Sequence, residues 1–103
     1  MTHCVVFSPE AQDDLLQIYN FITENSLPKR ALSYTEDIIS YCQDLSLFPE
    51  RGTRHDEIRA GLRTLGYKNR VLIAFHVTKD TVVIDKILYG GQSIGKAFED
   101  SSF

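Results

Sequence analysis

Four residues in the second half of the chain carry the groups that chemistry on an RNA backbone would use: Arg63, Arg70, Lys86 and Tyr89. Cleavage of RNA by its own 2′-hydroxyl needs a group that orients or deprotonates that hydroxyl, cations beside the scissile phosphate, and an acid for the leaving oxygen. Two arginines, a lysine and a tyrosine can supply these. The same side chains are also common packing and salt-bridging residues at strand ends, so spacing alone does not separate a site from a framework. No self-sufficient catalytic signature accompanies them: G-x-S-x-G, a Walker loop, H-E-x-x-H and a G-x-G-x-x-G after a strand are all missing. His3, His55 and His76 are scattered, and with Cys4 and Cys42 they make no zinc spacing, so neither a metal nor a cofactor is expected. Alternation sets His76 opposite Phe75 and Val77, which predicts a solvent-facing or edge histidine. Asp13 and Asp14, like Glu36 and Asp37, are adjacent on predicted helices, point in different directions and are expected to be surface acids.

A second set of residues is defined by charge. The net charge of −3 argues against a protein that holds nucleic acid mainly by coating phosphates. Residues 1–50 carry Lys29 and Arg30 against eight acids, whereas residues 51–103 carry nine basic residues against six acids. Arg51, Arg54, Arg59, Arg63, Lys68 and Arg70 fall in one stretch broken only by Asp56 and Glu57. Such a run is either a solvated face or a surface that an acidic partner covers.

The elements that must position these residues follow from periodicity. With 103 residues, 43% hydrophobic and 24% charged, the chain fits one compact domain, with a stability on the order of 5–10 kcal/mol. Residues 4–7 are β-prone, and Ser8-Pro9-Glu10 then supplies a cap, a proline at the first helical position and an early acid. Ala11, Leu15, Ile18 and Ile22 form the buried stripe of a first helix. Pro28 breaks that helix and opens a second, whose stripe of Ala31, Tyr34, Ile38, Tyr41, Cys42, Leu45 and Phe48 runs to Pro49 and Gly52. Residues 62–65, 70–77 and 81–89 are rich in β-branched and aromatic residues and are joined by short polar turns, which predicts an antiparallel meander. The predicted fold is α+β, with order β-α-α-β-β-β and the helical hairpin on one face of a small antiparallel sheet. Leu15, Ile18, Ile22, Ile38, Tyr41 and Leu45 are expected to meet Leu72, Ala74, Val82 or Ile84. Cys4 and Cys42 are expected to be buried thiols. Residues 90–103 form a glycine-rich tail that ends in a short helix or stays mobile. No stretch approaches the roughly 20 apolar residues of a membrane span, and no secretion signal opens the chain, so the cytoplasm is the expected location.

These residues in this order resemble the ParE/RelE superfamily of toxins from bacterial type II toxin–antitoxin systems. The resemblance is carried by Val6-Phe7-Ser8-Pro9-Glu10-Ala11-Gln12-Asp13-Asp14-Leu15, by Tyr19-Asn20-Phe21-Ile22, by Ile58-Arg59-Ala60-Gly61-Leu62-Arg63, by Arg70-Val71-Leu72-Ile73-Ala74-Phe75, and by Ile87-Leu88-Tyr89-Gly90-Gly91-Gln92-Ser93-Ile94. It implies a toxin neutralised by a cognate antitoxin that wraps it with an otherwise disordered segment. Such a segment would cover Arg51, Arg54, Arg59, Arg63 and Arg70. RelE-like members cut ribosome-bound mRNA; Arg70 and Tyr89 stand where that branch has a strand arginine and a late aromatic or histidine, with Arg63 or Lys86 left for phosphate. Gly91 and Gln92, however, occupy positions where many of those relatives have arginines. The Tyr-Gly-Gly-Gln-Ser-Ile segment is more similar to ParE members, which trap DNA gyrase without hydrolytic chemistry and are neutralised by ParD-type antitoxins. Ser93 replaces the aspartate common there. The resemblance thus implies a gyrase inhibitor that touches its target through Tyr89, Gly90, Gly91, Gln92, Ser93, Ile94 and Phe98, with a ribosome-dependent endoribonuclease as the alternative.

Overall fold

The computed structural model describes residues 3–68 and 70–90. The chain runs β1 (Cys4–Phe7), α1 (Pro9–Asn25), α2 (Pro28–Gln43), a 3₁₀ turn (Asp44–Ser46), β2 (Thr53–Arg54), β3 (Arg63–Tyr67), β4 (Val71–Val77) and β5 (Thr81–Tyr89). The strands form one five-stranded sheet in the order β1-β5-β4-β3-β2. The predicted order holds, with the two-residue β2 added after the helices. The sheet is mixed rather than antiparallel, because β1 pairs in parallel with β5, Cys4 against Thr81 through Phe7 against Ile84. Two helices separate β1 from the meander, so no hairpin turn dictates its direction.

Local chemistry starts the helices where the sequence predicts. The Ser8 hydroxyl accepts from the Ala11 N–H at 3.0 Å, and Pro9 opens the first turn. Pro28 opens α2 in the same way, with Leu27 at the cap. The hairpin buries Ala11, Ile18, Ile38, Cys42 and Leu45 against Val71, Ile73, Phe75, Val82, Ile84 and Ile87. Leu72 and Ala74 therefore do not face the helices as expected. Ala74 belongs to a second cluster with Leu62 and Ile58 on the opposite face of β4, and Leu72 shares its phase. Leu62 folds back over that face because Asp56 ties the preceding loop, accepting from the Gly61 N–H at 2.9 Å.

Three further expectations are corrected. Cys42 is buried, but Cys4 is exposed, since on edge strand β1 it alternates with the inward Val5 and Phe7. The apolar stripe of α2 does not continue to Phe48: after Gln43 the chain tightens into the 3₁₀ turn, which keeps Leu45 inside and rotates Leu47 and Phe48 into solvent. His76, expected at an edge or facing solvent, stands on the interior strand β4 and is half-buried, with its Nδ1 2.7 Å from an Asp85 carboxylate oxygen.

Asp85 marks a β-bulge. The β4–β5 register passes from Ala74 against Lys86 to Phe75 against Ile84, so Asp85 is the extra residue. Val82 and Ile84 face the helices on one side of it, and Ile87 and Tyr89 face them on the other.

Candidate functional site

Two clefts divide the residues singled out from the sequence. The first, of about 700 Å³, lies where β5 ends beside α1 and is lined by Asp14, Gln17, Phe21, Arg70, Lys86, Tyr89 and Gly90, among others. Arg70 falls in the β3–β4 turn rather than in a strand and is exposed. The main chain joins the two ends, since the Gly90 N–H donates to the Arg70 carbonyl at 2.9 Å. Tyr89 packs edge-on against Phe21, with ring centroids 5.7 Å apart, and against Tyr34 at 6.0 Å. Burial pushes the Tyr34 phenol above its ordinary value, and the neighbouring Tyr89 and Tyr67 push it the same way, so it stays neutral.

Asp14 is not a surface acid. One of its carboxylate oxygens lies 3.2 Å from the Lys86 ammonium and accepts the Ile87 N–H at 2.9 Å. The pairing of β1 with β5 stops at Ile84, so Asp14 supplies the acceptor that a neighbouring strand would otherwise give to Ile87. Lys86 thereby spends its charge on a fixed partner.

Of the four candidate catalytic residues, Arg70, Lys86 and Tyr89 line this one cleft, whereas Arg63 does not. Gly91, Gln92, Ser93, Ile94 and Phe98 lie outside the described residues.

The second cleft, of about 860 Å³, opens at the far end of the sheet. Its lining includes Arg51, Arg54 and Arg63 from the predicted basic stretch, joined by His3, Lys79, Leu47 and Phe48, which sequence reasoning missed. Arg59 and Arg70 do not line it. The Arg63 guanidinium donates to the Arg51 carbonyl at 3.4 Å, which tethers the loop before β2 to β3. Arg54 is paired with Asp56 at 3.0 Å. The Gly61 N–H, then Arg54, hold the Asp56 carboxyl below its ordinary value. Lys79 sits in the β4–β5 turn, and nothing in its local sequence signals convergence with Arg51. Phe48 falls on the predicted buried stripe of α2, and Leu47 beside it carries no signal of a surface role. Among the described residues, no group of three histidines, cysteines or acids stands together as metal ligands.

Residues 5–94 match the family described as ParE toxin of type II toxin–antitoxin system, parDE. No protein among curated sequences matches. Among solved structures, the chain is similar to one described as the chromosomal ParDE toxin–antitoxin system from P. aeruginosa, with a TM-score of 0.76 and 22% identity over 86% of this chain and 97% of that one. It is also similar to a chain of the toxin–antitoxin complex RelBE2 from Mycobacterium tuberculosis, with a TM-score of 0.61 and 20% identity over 86% of this chain and 99% of that one.

Proposed function

The chain belongs to the ParE toxin family of type II toxin–antitoxin systems, and from that membership we propose that it arrests growth by holding DNA gyrase rather than by cutting RNA. The observation that carries this reading is the state of the two groups a ribonuclease would need at the end of β5. Lys86 is neutralised by Asp14 at 3.2 Å, and the Tyr89 ring is packed between Phe21 and Tyr34. A cation meant for a phosphate gains little when a carboxylate already occupies it. In a gyrase inhibitor the same residues form a contact surface, with Tyr89 and Gly90 leading into Gly91, Gln92, Ser93, Ile94 and Phe98. No bond is made or broken by this protein, and no cofactor is involved.

The partner in this reading is a ParD-like antitoxin whose chain covers Arg51, Arg54, Arg59, Arg63 and Arg70, and both proteins work in the cytoplasm. Among the described residues no helix is long and apolar enough to cross a membrane.

Purified toxin added to gyrase and plasmid is expected to give relaxed or cleaved DNA. Unchanged supercoiling at high toxin concentration would sink the proposal. The presence of Arg70, Lys86 and Tyr89 in one cleft favours a second reading, a ribosome-dependent endoribonuclease. Primer extension on translated mRNA after induction separates the two: new codon-positioned 5′ ends appear only for the nuclease.

A further inference from the structure

We infer that the cleft between the exit of the 3₁₀ turn, the β2–β3 pair and the β4–β5 turn is the docking slot for an acidic, extended segment of the antitoxin that carries at least one bulky apolar side chain. This rests on the antitoxin reading above and adds the place and chemistry of contact.

Two observations converge there. The first is charge gathered from distant parts of the chain: Arg51 and Arg54 flank and form β2, Arg63 opens β3, and Lys79 comes from the turn after β4. Asp56 already occupies Arg54, but Arg51 and Lys79 are exposed at the cleft, with Glu50 as the acid in its lining. A protein of net charge −3 thus presents a local cationic surface. The second is apolar exposure. Leu47 and Phe48, consecutive residues turned outward by the 3₁₀ turn, keep 61% and 67% of their surface in solvent on the rim of the same cleft.

These features together discriminate among partners. A duplex would need a broad row of cations and would gain nothing from leucine. A single strand would need more cations and a series of stacking platforms, where one exposed phenylalanine stands. An extended peptide with alternating functions fits both halves of the lining: acids to Arg51 and Lys79, an apolar side chain onto Leu47 and Phe48. The cleft beside Tyr89 is less strongly biased, since Asp14 offsets Lys86 within it and Arg70 is its one other charged group.

The test uses the full-length toxin and the fluorescein-labelled C-terminal half of the protein encoded beside its gene, read by anisotropy at low and high salt. Arg51→Glu/Lys79→Glu and Phe48→Ser are expected to weaken binding at least tenfold each while circular dichroism stays unchanged. The charge-reversal effect should shrink at high salt. Lys29→Glu, an equally exposed reversal on α2, should bind as wild type does. Tight binding by wild type and undiminished binding by both variants would overturn the slot while leaving the antitoxin reading intact. Absence of binding by wild type would overturn both. Displacement of the peptide by a 15-nucleotide oligo-dT would make the cleft a nucleic-acid site and overturn the peptide assignment.

Discussion

Replacing Asp14 by alanine removes two interactions at once, and the structure allows their sizes to be estimated separately. The carboxylate accepts the Ile87 N–H at 2.9 Å and faces the Lys86 ammonium at 3.2 Å, with side-chain exposures of 14% for Asp14 and 21% for Lys86. Losing a charged acceptor for a partly buried N–H costs about 1.5–3 kcal/mol. Leaving one member of a fully buried pair alone costs about 3–5 kcal/mol. Lys86 keeps a fifth of its surface and a flexible stem that can carry its ammonium to water, so about 1 kcal/mol is the better figure here. The expected total is about 3 kcal/mol. In a domain of this size that lowers the melting temperature by roughly 12–24 °C, which thermal denaturation followed by circular dichroism reads directly. Asp14→Asn retains an amide oxygen for Ile87 and should lose only about 1–1.5 kcal/mol. Adding Lys86→Met to Asp14→Ala should recover about 1 kcal/mol by removing the stranded charge. A loss below about 0.5 kcal/mol for Asp14→Ala, or equal losses for alanine and asparagine, would refute the idea that this carboxylate completes the edge of β5.

Tyr89→Phe is expected to stay toxic, since one hydroxyl is worth at most about 0.5–1.5 kcal/mol of affinity, whereas truncation after Gly91 should give a folded, antitoxin-binding, non-toxic protein. Growth curves after induction decide it, and a fully toxic truncation would remove the tail from the target contact. Burial pushes the Cys42 thiol up to about 12 from an ordinary 9.0, so the folded state keeps a proton that the unfolded chain releases. Its contribution is complete below about pH 9 and is lost as pH rises toward 12, so urea midpoints should fall over that window and fall less in Cys42→Ala. Thiol reagents at pH 8 should label exposed Cys4 rapidly and Cys42 only on unfolding. Gly52 has φ +82°, and an added Cβ would run into the Thr64 carbonyl oxygen, so Gly52→Ala should cost more than about 1 kcal/mol and increase amide exchange in β2 and β3. Unchanged exchange there would show that the loop relaxes freely.

The helices were legible because their signals are local: Ser8 and Pro9, then Pro28, open them, and a single apolar stripe identifies each buried face. The strands were legible as segments, but the phase of β4 was not. Val71 to Val77 is apolar nearly throughout, because Val71, Ile73 and Phe75 face the helices while Ala74 lies under Leu62 and Ile58 on the other side. A strand covered on both faces shows no alternation to read. The direction of β1 and the 3₁₀ turn that exposes Phe48 left no local mark either. The arginines could be named from the sequence, yet their division between two clefts could not. Nor could the pairing of Lys86 with Asp14, 72 positions away, be seen before the edge of β5 was in place.

The bulge at Asp85 ties these points to the functional reading. Val82 and Ile84 face the helices, and with unbroken alternation Lys86 and Leu88 would follow them while Tyr89 turned to the opposite face, toward Ala74 and His76. The extra residue reverses that phase, so Tyr89 meets Phe21 and Tyr34 and becomes part of the hairpin's packing. Asp85 is held there from two sides. The Ser8 hydroxyl donates to its carbonyl at 2.9 Å, and its carboxylate lies 2.7 Å from the His76 Nδ1. The side chain is only 10% exposed, so it must be satisfied where it stands. Ser8, which starts α1, therefore also fixes the residue that decides which face Tyr89 takes. The Tyr89 ring is thereby committed to packing on the hairpin, which under the gyrase proposal makes it part of a contact surface that continues into Gly90.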